Sequence, residues 1–95
     1  MFDKAKTLFE LKKIQSALAK EVIEVETGDG AVKIQINGEQ KIKKVTLDPE
    51  KIDLSEPERL EKWIESAVTQ AITRSQQVAA EKMKSISGGL GLPGF

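Results

Sequence analysis

One run of helical apolar spacing restricts this chain more than any other feature, because the rest of the chain is too short to cover it. Leu60, Ile64, Ala67, Val68, Ala71, Ile72, Val78, Ala79, Met83 and Ile86 recur at threes and fours. Ser55-Glu56-Pro57-Glu58 precedes them with the letters of a capping box: Ser at the cap, Pro in the first turn, Glu at the third helical position. The spacing predicts a helix from Glu56 to about Ile86, ended by Gly88-Gly89. At 1.5 Å per residue it is about 45 Å long. A strand of six or seven residues reaches only about 20–23 Å. Roughly half of such a helix therefore projects past any sheet built from short strands. The projecting half still carries Val78, Ala79, Met83 and Ile86, and an apolar stripe requires a partner. A second copy of the chain is the economical source, so a homodimer with these four residues at its interface is expected.

The segments before this helix read as one helix and three strands. Ala5, Leu8, Phe9, Leu11, Ile14, Leu18 and Val22 hold helical spacing from about residue 3 to 21. Val22–Thr27 alternates Ile23 and Val25 with Glu24 and Glu26, and Gly28-Asp29-Gly30 makes a turn. Ala31–Ile36 alternates Val32, Ile34 and Ile36 with Lys33 and Gln35. Asn37-Gly38 signals a two-residue type I′ hairpin into a third strand, from about Glu39 to Leu47. In that strand Ile42 has one parity and Val45 and Leu47 the other, so a bulge near Lys43-Lys44 is expected to bring all three to one face. Asp48-Pro49 ends the strand. The expected fold class is α+β: a helix, a three-stranded antiparallel sheet and a long helix, paired into a dimer with projecting helical arms. Residues 1–87 make one domain and residues 88–95, rich in Gly, a flexible tail. The tail's Gly89-x-Gly91-x-x-Gly94 follows a helix and leads into none, so it is no dinucleotide fingerprint.

Composition narrows the chemistry. Among 95 residues there is no His, Cys or Tyr, which removes the usual proton shuttle near neutral pH, thiolate chemistry and the commonest nitrogen metal ligand. Asp29, Asp48 and Asp53 lie at turns, where turn and capping roles account for them. The chain is expected to be no enzyme, with no cofactor, metal or small-molecule substrate. No stretch approaches the ~20 apolar residues of a membrane span. Asp3, Lys4, Lys6, Glu10, Lys12 and Lys13 break up any signal-peptide core, so a cytoplasmic protein without membrane partners is expected. Formal net charge is zero, yet charge is segregated along the chain. Residues 1–20 sum to +3, 21–30 to −4, 31–47 to +3, 48–65 to −4 and 66–95 to +2.

The ordered set of features resembles the YbaB/EbfC family of bacterial nucleoid-associated proteins. It comprises the first helix, Gly28-x-Gly30, the hairpin with Asn37-Gly38, Val45-x-Leu47-Asp48-Pro49 and a long helix with Leu60-Glu61 and Ala67…Ala71. Met83 and a Gly88-Gly89…Leu92-Pro93-Gly94 tail complete it. The resemblance covers nearly the whole chain. It implies a cytoplasmic homodimer, located in the nucleoid, that binds duplex DNA with little or modest sequence preference and without enzymatic activity. It also implies helices that project as arms from a joined sheet.

DNA binding of this kind rests on Lys and Arg contacts to phosphates. Three basic groups exist: Lys4, Lys6, Lys12 and Lys13 on the first helix; Lys33, Lys41, Lys43 and Lys44 on the strands; Arg74, Lys82 and Lys84 on the distal second helix. The two helical groups are favoured as the DNA contacts, because the acidic stretch 48–65 repels phosphate from the base of the second helix. Trp63, beside Leu60 and Ile64, is read as core or interface rather than a base-stacking group. The alternative function is a dimeric protein-interaction scaffold with weak or no DNA binding, which neutral net charge favours.

Overall fold

A computed structural model describes residues 4–90, with side chains for 6–84. Helix α1 spans Lys4–Lys20, strands β1, β2 and β3 span Ile23–Thr27, Val32–Ile36 and Ile42–Leu47, a 3-10 turn covers Pro49–Lys51, and helix α2 spans Pro57–Leu90. The strands form one antiparallel sheet in the order β1-β2-β3. The expected order of elements is thus observed.

The period-two pattern works as it reads. Ile23, Val25, Val32, Ile34 and Ile36 are buried against Ala67 and Ala71 of α2, with Leu60, Trp63, Val68 and Val78 packed around them. Alanine lets the helix backbone approach the sheet closely, so the centre of the helix–sheet contact is the small-residue line Ala67, Ala71 and Ser75, all fully buried. Ile64, which the spacing places with the core, instead stands on the flank of α2 and is 37% exposed.

The expected bulge is present. Ile36 pairs with Ile42 but Gln35 pairs with Lys44, leaving Lys43 as the extra residue. Ile42, Val45 and Leu47 consequently lie opposite the buried Ile36, Ile34 and Val32, on one face of the sheet.

Three local expectations are corrected. Asn37-Gly38 is not a two-residue type I′ turn, because left-handed backbone falls on Gln40 (φ 63°) instead. The buried Asn37 builds a longer connection: its Oδ1 accepts from the amides of Glu39 (2.9 Å) and Lys41 (3.0 Å), and its Nδ2 donates to the Ala19 carbonyl (3.4 Å). Gly38 is required there for space, since a Cβ would lie 2.7 Å from Leu18 Cδ2. Ser55 does not cap α2. Its hydroxyl donates to Asp53 Oδ1 (2.6 Å), and the helix starts one residue later than expected, at Pro57. Gly88-Gly89 does not end α2, which runs through both glycines to Leu90. Residues 91–95, the rest of the expected flexible tail, lie outside the described residues, as do Phe2 and Asp3.

With 34 residues, α2 is about 51 Å long, and the molecule measures 65 × 23 × 15 Å. The last core contact is Val78, so some twelve residues, about 18 Å of helix, run on beyond the sheet.

Candidate nucleic-acid interface and subunit surface

The site is built from what α2 leaves uncovered. The helix lies over β1 and β2 and does not reach β3. Two contacts hold it toward the β1 side. The Trp63 ring lies against Gly28, whose left-handed backbone (φ +62°) and missing Cβ make room for the indole, and Thr27 Oγ1 donates to the Trp63 carbonyl (2.7 Å). Further along, Arg74 Nη1 donates to the Glu24 carbonyl of β1 (2.9 Å).

At 100° per residue, Ile64, Val68 and Ile72 stand about 100°, 140° and 180° around α2 from Trp63, on the flank that faces β3. Ile64 and Ile72 are each 37% exposed. The inner face of β3 adds Ile42 (48%), Val45 (54%) and Leu47 (45%). Together they line an apolar groove, floored by β3 and walled by α2. All six residues of β3 are exposed, and β3 is an edge strand. The opposite edge is different, since Arg74 occupies a β1 carbonyl there.

The residues expected at the subunit interface sit away from this groove. Val78 leans on the chain's own core, Ala79 is half-buried and Met83 is 37% exposed. The side chain of Ile86 lies outside the described residues. Sequence reasoning missed Ile64, Ile72 and β3 as one surface. The parity of β3 was legible; which strands α2 would cover was not.

Of the expected DNA contacts, Lys6, Lys12 and Lys13 are exposed on α1, and Lys4 belongs to α1 with its side chain outside the described residues. Lys13 Nζ stands 5.7 Å from the Phe9 ring centroid, a cation–π contact. Arg74 is engaged with β1. Lys82 Nζ pairs with Glu21 Oε1 at 3.4 Å, joining α2 to the end of α1, and Lys84 is exposed.

The sheet's other face is polar. Register puts Glu24 beside Gln35 and Glu26 beside Lys33 on β1 and β2, and Lys44 and Thr46 beside Gln35 and Lys33 on β3. Among the described residues no helix covers this face: α2 packs on the other one, and α1 packs on α2 and the Asn37–Gly38 connection but on none of the strands. Among the described residues no group of three or more Asp, Glu, His or Cys side chains is placed to hold a metal ion, and no helix is long and apolar enough to cross a membrane.

Residues 1–90 match the family model described as the YbaB/EbfC DNA-binding family. A nucleoid-associated protein of Ruminiclostridium cellulolyticum is 40% identical over 87 residues, which covers 90% of this chain and 76% of that protein. One from Dictyoglomus thermophilum is 39% identical over 83 residues, 87% of this chain and 80% of the relative. Among solved structures, uncharacterized protein HP0035 from Helicobacter pylori superposes with a TM-score of 0.65 at 15% identity, covering 90% of this chain and 95% of that one. That likeness concerns the fold.

Proposed function

The chain belongs to the YbaB/EbfC DNA-binding family, and from that premise we propose that it is a nucleoid-associated homodimer that binds duplex DNA with little sequence preference, by charge rather than by base reading. Its place is the nucleoid, in the cytoplasm, and its role is binding rather than catalysis. The observation that carries the DNA part is the family match across residues 1–90. The related proteins named above bear the same description, nucleoid-associated.

The homodimer reading is supported by the apolar groove. Ile42, Val45, Leu47, Ile64 and Ile72 form a surface of the kind that marks a subunit contact. A second copy related by a two-fold axis satisfies both parts of it at once. Its β3 adds to the free strand edge, and its α2 flank covers the exposed floor. The interface thereby moves from the distal stripe (Val78, Ala79, Met83, Ile86) to β3 and the proximal flank of α2. The dimer carries two copies of each basic group, and α1 with distal α2 extends from the joined sheet as arms bearing Lys6, Lys12, Lys13, Lys82 and Lys84.

The test is anisotropy titration of a labelled mixed-sequence duplex over a salt series, with solution mass measured on the same sample. The expected result is a dimer whose log K falls linearly with log salt, by about 0.9 for each phosphate contacted. No binding at micromolar dimer in low salt overturns the reading.

A further inference from the structure

We propose that the solvent face of the sheet, centred on Lys33, Lys43 and Lys44 of the two protomers, is itself a docking surface for the phosphate backbone of duplex DNA. The inference rests on the dimeric DNA-binding reading above and moves the main contact from the helices to the sheet.

Charge placement is the first argument. Lys33 and Lys44 are diagonal neighbours on the same face, because Lys33 pairs with Thr46, two positions beyond Lys44. Such diagonal neighbours are about 7–8 Å apart, their Cβ atoms somewhat closer. The bulge adds the exposed Lys43 beside them, and the exposed Lys41 precedes the strand. The acids of the face, Glu24 and Glu26, lie on β1, the edge farther from the subunit contact. The face of one protomer therefore grades from acidic at β1 to basic at β3. Joining two copies along β3 brings the basic halves together in the middle, with the acids at the outer margins. From β2 of one protomer to β2 of the other is three strand spacings, about 14 Å. Eight lysines fall on or beside that strip. The duplex presents one negative charge per ~1.7 Å of axis, so the chemistry is complementary.

Availability is the second argument. Among the described residues no side-chain hydrogen bond or ion pair engages Lys41, Lys43 or Lys44, so these ammonium groups are free for a phosphate; Lys33 makes no such bond either, but it stands opposite Glu26 of β1. The helical cations are partly committed within the chain: Arg74 to the Glu24 carbonyl, Lys82 to Glu21 and Lys13 to the Phe9 ring. Each of those contacts has to be traded for a phosphate, which lowers the net gain.

The experiment compares the full-length protein with Lys43→Gln/Lys44→Gln and with Lys12→Gln/Lys84→Gln, all confirmed as dimers by mass, in the same duplex salt titration. Four lysines are removed per dimer in each variant, so each can lower the log–log salt slope by at most about 3.6. The proposal expects a drop of about 2 or more for the sheet variant and under 1 for the helix variant. If the unaltered protein binds and the sheet variant keeps its slope, the proposal is overturned while the DNA-binding reading stands. If the unaltered protein binds no duplex, both fall. A sheet variant that loses an acidic protein ligand but no DNA affinity also overturns it.

Discussion

The polar clasp at Ser75 invites a sharp test, because it joins α2 to the turn that receives the end of α1. Ser75 is fully buried; its hydroxyl donates to the Asn37 carbonyl (2.7 Å) and accepts from the Gln40 amide (3.0 Å). Ser75→Ala removes both bonds. If each backbone partner were orphaned, the loss would be about 2–6 kcal/mol in total. Neither is orphaned, however, since the Gln40 amide also reaches the Asn37 carbonyl at 3.3 Å. The expected cost is therefore about 1–2 kcal/mol, reduced by up to about 0.5 because alanine is the better helix former. For a chain of this size about 1 kcal/mol moves Tm by roughly 4–8 °C. Ser66→Ala is the matched control: its hydroxyl sits on the exposed face of the same helix and accepts only from Gln70 Nε2 (3.0 Å). Urea denaturation at one fixed protein concentration measures both, since dimer stability depends on concentration. A Ser75→Ala protein no less stable than Ser66→Ala refutes the clasp. A loss above about 3 kcal/mol refutes the shared hydrogen bond and means that the amide is left unpaired.

Gly28→Ala is expected to cost about 3 kcal/mol, adding backbone strain at φ +62° to a Cβ placed 2.5–2.8 Å from the Trp63 ring. Gly30→Ala bears its own backbone strain at φ +90°, but its Cβ meets only side-chain atoms of Glu26, Lys51 and Lys33 at 3.2–3.8 Å, so it is the control for strain without a ring clash. Emission of Trp63, the chain's one tryptophan, is expected to shift in Gly28→Ala and not in Gly30→Ala, and an equal shift in both contradicts the packing argument. Hydrogen bonds from the Ser55 hydroxyl and amide, with the nearby Arg59 charge, hold the Asp53 carboxyl below its ordinary value of 3.8. A depressed folded value means that this contribution to stability is present above pH 3.8 and is lost as pH falls through the folded value. Ser55→Ala is expected to move Asp53 part of the way back up, and an unchanged carboxyl shift in an NMR titration rules that cause out.

Much of the fold is legible in the residues because local rules there agree with tertiary packing. Ile23, Val25, Val32, Ile34 and Ile36 alternate without interruption, and all five are buried. Even the bulge is readable, since only an extra residue reconciles the parity of Ile42 with that of Val45. Misreadings arise where one side chain has two competing partners. Asn37 can support a tight turn, but its side-chain amide instead organises a wider loop, donating to the Ala19 carbonyl and accepting from the Glu39 and Lys41 amides, while its backbone carbonyl accepts from Ser75. Ser55 can cap α2, but Asp53 lies closer. The groove was illegible for a different reason. Ile64 and Ile72 share helical spacing with Ala67 and Ala71, and spacing does not say which side of a helix a sheet will take. That choice is made by Trp63 against Gly28 and Arg74 against Glu24, contacts 35 and 50 residues apart in the chain.

The central claim is that two copies close over β3 and the adjoining flank of α2. Val45, on β3 opposite Ile34 and 54% exposed, sits in the middle of that surface. Light-scattering mass of the unaltered chain, Val45→Asp and Met83→Asp, each with circular dichroism to confirm folding, tests the claim most directly. The account predicts twice the 10.5 kDa chain mass for the unaltered protein and for Met83→Asp, and a folded species of 10.5 kDa for Val45→Asp. A Val45→Asp dimer alongside a Met83→Asp monomer would contradict it and return the interface to the distal stripe.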